Sequence, residues 1–145
     1  RVFHGAHGGR VRARNVLEQF IKHVINPLQA TFPTPAGEIG LYYQEPPTGQ
    51  AMIGYCMLPA WRGRGYPARA ARLLATWAFE QAGLARLIAG THPGNAASQR
   101  VLERAGFRRE GYLRGRLPGI DGTRADDVLY GLLPEDVRRS RSGGG

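Results

Sequence analysis

A short basic loop is the stretch of this sequence whose residue types point most directly to chemistry. It consists of Arg62, Gly63, Arg64, Gly65, Tyr66 and Pro67. The apolar run Ala51–Leu58 before it predicts a strand, and the amphipathic segment after it predicts a helix. A loop between a strand and a helix presents backbone N–H groups that can bind a phosphate. Glycine content alone is also compatible with an ordinary tight turn.

The loop departs from two familiar phosphate-binding patterns. A dinucleotide fold would show G-x-G-x-x-G and an acidic residue roughly 20 positions later, within a βαβ unit. A P-loop would carry Gly-Lys followed by Ser or Thr. Neither pattern occurs in the loop. Taken alone, the loop therefore predicts a phosphate site without naming the ligand.

A second group of polar residues lies at the start of another predicted helix, Ala96–Ala105. Asn95 stands where an N-cap is expected, and Gly106 ends the helix. Ser98 falls in the first turn, where its hydroxyl can be a donor in a reaction or simply part of the turn.

The elements that would position these residues form an α+β pattern. The predicted strands are Gly37–Gln44, Ala51–Leu58, Leu87–Thr91, Phe107–Leu117 and Ala125–Leu133. The first two predict an antiparallel hairpin, and the last two a hairpin that turns at Asp121-Gly122. The third is apolar throughout, as in an internal strand of a parallel pair. A helix beginning at Ala68 and ending near Gly83 would bury Ala71, Leu74, Ala75, Trp77 and Ala78. We expect a mixed, mostly antiparallel sheet with flanking helices.

The ends of the chain predict less order. Residues 1–12 are expected to be a flexible leader, residues 13–134 a single domain and residues 135–145 a disordered tail. A further amphipathic helix is expected over Arg14–Asn26, with a short strand possible over Leu28–Phe32.

Composition restricts the class of protein. One cysteine, Cys56, excludes an internal disulfide and favours a cytoplasmic location. No apolar run approaches the roughly 20 residues that span a bilayer, so we expect no membrane partner. The formal net charge of +9 favours an anionic ligand. Nucleic acid is the less favoured one, because no basic strand with interleaved aromatic residues is evident. No metal site is predicted, and homodimer formation stays open.

The two groups of residues together resemble the GNAT superfamily of acyl-CoA-dependent N-acyltransferases. Within it, they are similar to the branch containing ribosomal-protein N-terminal acetyltransferases. Arg62–Pro67 lies on the R/Q-x-x-G-x-G/A loop of that family, with Pro67 at its last position. Asn95–Phe107 lies on its N-x-x-S-x-x-V-x-E-x-x-G-F element. The resemblance covers about Gly37–Pro134. Family members usually carry a strand and a helix ahead of the Arg14–Asn26 segment, where this chain has too few residues for both.

The resemblance implies a site for acetyl-CoA as co-substrate. The strand before the loop would splay from the strand after the helix, and the pantetheine arm would pair with backbone of Cys56, Met57 and Leu58. The six loop residues and the helix N-terminus would hold the pyrophosphate. Asn95 would orient the pantetheine amide or the thiol.

The resemblance also implies direct attack of an amine on the thioester. The acceptor would be a protein N-terminus, a lysine or a small amine. The Leu58 amide would stabilise the oxyanion. Many relatives use a tyrosine as the acid where this chain has Leu102, so Ser98 is the candidate acid. Candidates for the base are Glu38, Tyr43, His92 or a water chain. Cys56 is expected to be a buried packing residue. The alternatives are a catalytically impaired acyl-CoA-binding module of this fold, or a nucleic-acid-binding domain.

Overall fold

The computed structural model describes residues 36–119 and 121–142. The predicted leader, the helix over Arg14–Asn26 and the strand over Leu28–Phe32 lie outside these residues. The described elements belong to a compact unit that spans Gly37–Gly145. They are β1 (Gly37–Glu45), β2 (Gln50–Met57), α1 (Tyr66–Glu80), β3 (Arg86–Thr91), α2 (Ala96–Arg104), β4 (Arg108–Pro118), β5 (Arg124–Leu132) and α3 (Pro134–Ser142).

The five strands form one mixed sheet in the order β1-β2-β3-β5-β4. Strand β2 runs antiparallel to β1 and parallel to β3, and β5 runs antiparallel to both β3 and β4. The sheet therefore has one parallel pair among antiparallel ones, which confirms the predicted fold class. The position of β3 between β2 and β5 explains its apolar sequence, because the consecutive residues Leu87, Ile88 and Ala89 are buried on both faces of the sheet.

The parallel pair in the middle of the sheet is incomplete. The register of β2 with β3 ends at Met52 opposite Ile88. Strand β2 nevertheless continues to Met57, and β3 continues to Thr91. The two strands therefore diverge and leave a gap between them. This confirms the splayed strand pair that the resemblance implied.

Helix α1 covers the sheet with a face of mostly small residues. Its buried residues are Ala68, Ala71, Leu74, Ala75, Trp77 and Ala78. The predicted buried face is confirmed, but the helix begins at Tyr66 rather than Ala68. Proline fits the first turn of a helix because its fixed φ is helical and the N–H that it lacks would be unpaired there. The start of α1 therefore lies within the glycine loop.

The tail differs from the prediction of disorder, since α3 occupies Pro134–Ser142. The Asp136 carboxylate accepts a hydrogen bond from the Leu133 N–H (3.1 Å) and forms an ion pair with Arg108 at 2.9 Å. Val137 is buried. The ion pair with Arg108 and the burial of Val137 are tertiary contacts, and they stabilise a helix that the charged sequence was not expected to form. None of the helices in the described part is long and apolar enough to cross a membrane.

Adjacent leucines on α1 test this packing. Leu74 is 1% exposed and Leu73 is 53% exposed. We expect Leu74→Ala to lower the free energy of unfolding by about 2–5 kcal/mol, because it leaves a cavity under the sheet. Leu73→Ala should change it by no more than about 0.5 kcal/mol. Urea denaturation followed by circular dichroism measures both values, and equal losses would contradict the assigned helix face.

Candidate functional site

The glycine loop is open to a ligand at its two glycines. Gly63 and Gly65 have φ values of 74° and 75°, a conformation in which side chains are strained. A Cβ at either position would meet no atom within 4 Å, so the space beside the backbone is open. Their N–H groups find no hydrogen-bond acceptor among the described residues. A phosphate oxygen is the kind of acceptor that such groups take.

The N-terminus of α1 strengthens this preference for an anion. Gly65 is the N-cap residue, and no side chain caps the helix. The partial positive charge of the first turn therefore faces the loop without internal compensation. This end of the helix favours a bound anion by about 0.3–1 kcal/mol when it is exposed to solvent.

Aromatic and basic side chains hold the loop in shape. The Arg62 Nε donates to the carbonyl oxygen of Met57 (3.3 Å) and so ties the loop to the end of β2. The Arg64 guanidinium lies 5.2 Å from the centre of the Trp61 ring, in a cation–π contact. Trp61 also packs against Tyr66, with 6.0 Å between ring centres. Both arginines therefore organise the loop as well as adding positive charge to it.

Asn95 begins α2 as predicted. Its Oδ1 accepts a hydrogen bond from the Ser98 N–H at 3.0 Å, so the N-cap assignment is confirmed. The same residues that start the helix therefore set the position of Ser98. Leu102, one turn later, is fully buried and serves packing.

The structure adds Tyr55, which sequence reasoning missed. Its hydroxyl lies 2.7 Å from the Ser98 Oγ and 3.2 Å from the Ser98 carbonyl oxygen. Tyr55 follows the buried Ile53 by two positions on β2, so the alternation of the strand placed both on one face. That signal shows that Tyr55 faces inward. It could not show that α2 brings Ser98 to the hydroxyl.

The environment of Tyr55 keeps its hydroxyl protonated. Burial raises the pKa of Tyr55 above its usual value of 10, and the hydrogen bond with Ser98 opposes part of that rise. The phenol is thus a neutral partner for Ser98 at physiological pH.

The remaining predicted site residues lie around the end of β2. Cys56 is exposed, so the expectation of a buried packing role was wrong; it lies opposite Glu38 across the β1–β2 pair, on the sheet face away from Tyr55. Met57 is half-buried, and Leu58 is 47% exposed just beyond the strand.

Two of the candidate bases are His92 and Tyr43. The Nδ1 of the exposed His92 accepts a hydrogen bond from the Gly94 N–H (3.0 Å), so one ring nitrogen is occupied within its own turn. The side chain of Tyr43 lies outside the described part. No group of three or more metal-binding side chains occurs among the described residues.

Comparisons with known proteins agree with this geometry. The sequence profile of the acetyltransferase (GNAT) domain matches residues 9–108. The probable N-acetyltransferase YjcK of Bacillus subtilis is 40% identical over 86 residues, which are 59% of this chain and 47% of that protein. YdaF of Bacillus subtilis, whose name assigns it provisionally as a ribosomal N-acetyltransferase, is 36% identical over 69% of this chain and 54% of its own length.

Solved structures of acetyltransferases are also similar to this chain. RimJ from Mycobacterium smegmatis, crystallised with CoA-disulfide, has a TM-score of 0.67 at 26% identity, covering 77% of this chain and 56% of that one. The chain belongs to the GNAT acetyltransferase family. It spans about half the length of the curated relatives that it matches.

The raised pKa of Tyr55 has a measurable consequence. The folded state holds the phenol protonated, so this contribution to stability is present below pH 10 and is lost as the pH rises above that value. We expect the unfolding free energy of the wild type to fall more steeply than that of Tyr55→Phe between about pH 9 and about pH 11. Urea titrations across this range measure both slopes. Parallel curves would show that Tyr55 ionises normally.

Proposed function

We propose that this protein is an N-acetyltransferase that moves an acetyl group from acetyl-CoA to a primary amine. One observation carries the proposal: the gap between β2 and β3 opens beside an uncapped, glycine-lined helix N-terminus. A strand edge without a partner can pair with an extended ligand, and the helix N-terminus can bind its phosphates. The two features together match a ligand that has a pyrophosphate at one end and an amide-bearing arm at the other.

Individual residues take roles in holding this ligand. The open N–H groups of Gly63 and Gly65 would bind pyrophosphate oxygens, with Arg62, Arg64 and Tyr66 shaping the loop around them. Pro67 has no N–H to donate. The pyrophosphate would therefore be bound by the other backbone N–H groups of the first turn. Cys56, Met57 and Leu58 would present backbone groups to the arm along the gap, and Asn95 would orient its end.

The residues of the chain can also assist acyl transfer. Acetyl-CoA supplies an activated acyl group, and the amine attacks it directly. The Leu58 N–H would stabilise the developing oxyanion. Ser98 would protonate the departing thiolate sulfur when Tyr55 donates its own proton to the Ser98 Oγ, because the serine proton is then directed away from Tyr55.

The acceptor is a primary amine. The kind of amine is inferred by analogy with relatives whose names state what they acetylate. Solved neighbours include a ribosomal-protein-S5-alanine acetyltransferase from Vibrio fischeri, 27% identical with a TM-score of 0.64. A protein N-terminus is therefore one acceptor to test, together with a lysine side chain and a small amine. We assign the reaction to the cytoplasm.

A pair of glycine variants tests the loop. Gly65 and Gly122 have φ values of 75° and 74°, and both face open space. Glutamate at either position meets the same backbone strain, so only the local role differs. We expect Gly65→Glu to weaken CoA binding by more than about tenfold through charge repulsion, and Gly122→Glu to leave it unchanged. Isothermal titration calorimetry with CoA measures both. Equal affinities in the two variants would place the phosphate site elsewhere.

Replacement of Ser98 tests the transfer step. We expect Ser98→Ala to lower kcat by about a hundredfold while the affinity for CoA stays unchanged. Ser142→Ala is the matched control, because that hydroxyl donates only within α3, to Arg138. Thiol release with the three amine classes measures kcat. Tight CoA binding by the wild type without amine-dependent release would instead favour the catalytically impaired module.

A further inference from the structure

The carboxylate of Asp127 on β5 is the unexplained polar group of this sheet. Asp127 is 0% exposed, and its Oδ2 accepts a hydrogen bond from the Arg116 Nη1 in an ion pair. Among the side chains that the structure describes, its Oδ1 is the one buried nitrogen or oxygen without a hydrogen-bond partner. A buried carboxylate oxygen without a partner is unfavourable, so this atom requires an explanation.

Gly90 locates the carboxylate at the gap. A Cβ at Gly90 would lie 2.5 Å from the Asp127 Oδ2 and 2.7 Å from its Oδ1. The carboxylate therefore occupies the space that a side chain at this position would fill. Gly90 lies two residues beyond Ile88, where the pairing of β3 with β2 ends. The unpartnered oxygen thus stands where the two strands diverge.

Asp127 and Ser98 lie on opposite faces of the sheet. The Tyr130 hydroxyl donates to Glu103 of α2 at 3.1 Å, so α2 packs on the Tyr130 face of β5. Asp127 is three positions earlier on the same strand, and side chains alternate between faces. The pairing of β5 with β3 is regular through this segment. The gap therefore has a hydroxyl on one face and an unpaired carboxylate oxygen on the other.

We propose that the Asp127 Oδ1 accepts a hydrogen bond from the amino group of the acyl acceptor and so forms the amine subsite. The inference rests on the proposed function. Arg116 holds the other oxygen and fixes the carboxylate beside Gly90, which is exposed and has no side chain. An amino group on this face would attack the thioester from the side opposite Ser98. A hydrogen bond in such a buried site is stronger than one in water.

Carboxyl-carbon NMR tests the contact without any need for turnover. The probe is propylammonium, added to the full chain loaded with CoA, and the control ligand is propyltrimethylammonium, which has the same charge and no N–H. We expect only propylammonium to move the Asp127 carboxyl resonance. The Asp126 resonance should stay in place, because Gly115 N and the Tyr112 hydroxyl already occupy both of its oxygens, each at 2.6 Å. No shift at Asp127, or equal shifts with both probes, would overturn the proposal.

Kinetics supply a second measurement. In Asp127→Asn the remaining oxygen stays with Arg116, so the amide N–H₂ faces the amino group and repels it. We expect the KM for the amine to rise by about tenfold or more while the affinity for CoA is retained. Asp126→Asn is the matched control and should keep the amine KM. An unchanged amine KM in folded Asp127→Asn would contradict the proposed amine subsite.

A second variant and the activity of the wild type distinguish a failure of the subsite from a failure of the proposed function. If Asp127→Asn does not fold, Gly90→Ala replaces it, because the added Cβ displaces the carboxylate without removing its charge. This variant should also raise the amine KM, and an unchanged value would count against the subsite. A wild type without any amine-dependent thiol release would contradict the proposed function, while the carboxyl resonance would still decide the role of Asp127.

Discussion

The early end of the β2–β3 pairing is the constraint on which this structure depends. Two parallel strands that stayed paired would satisfy their backbone groups with each other and leave no room between them. Because the pairing stops at Met52 and Ile88, the last part of each strand can face a ligand instead. Strand β1 on one side and β5 on the other keep both strands extended beyond that point. The flanking strands β1 and β5 thus hold the two sides of the gap in place.

The helices hold chemical groups at the edges of this gap. Helix α1 begins in the glycine loop, and Arg62 ties that loop back to the end of β2. Helix α2 begins at Asn95, whose side chain also fixes the first turn that contains Ser98. Tyr55 then connects β2 directly to this turn. The glycine loop and the turn that contains Ser98 are therefore both anchored to β2, which limits their relative movement.

The two faces of the sheet contribute different chemistry at the gap. On the α2 face, neutral hydroxyls of Tyr55 and Ser98 are in contact, and burial keeps the phenol protonated. On the opposite face, Asp127 contributes a negative charge that Arg116 only partly satisfies. A donor on one side and an acceptor on the other suit a reaction in which the leaving group gains a proton and the nucleophile is an amine.

The sequence by itself determined the described strands, the first two helices, the buried face of α1 and the cap at Asn95, because these follow from local periodicity and capping chemistry. The two motifs also indicated the family. Only the tertiary structure decided which side chains meet across the sheet. Contacts such as Tyr55 with Ser98 or Asp127 with Gly90 join residues far apart in sequence, and no local pattern encodes them. The exposure of Cys56 is a different case, because it follows from the alternation of β2, which is a local pattern. Long-range contact does explain α3, whose charged sequence forms a helix with Asp136 paired to Arg108 on β4 and Val137 buried.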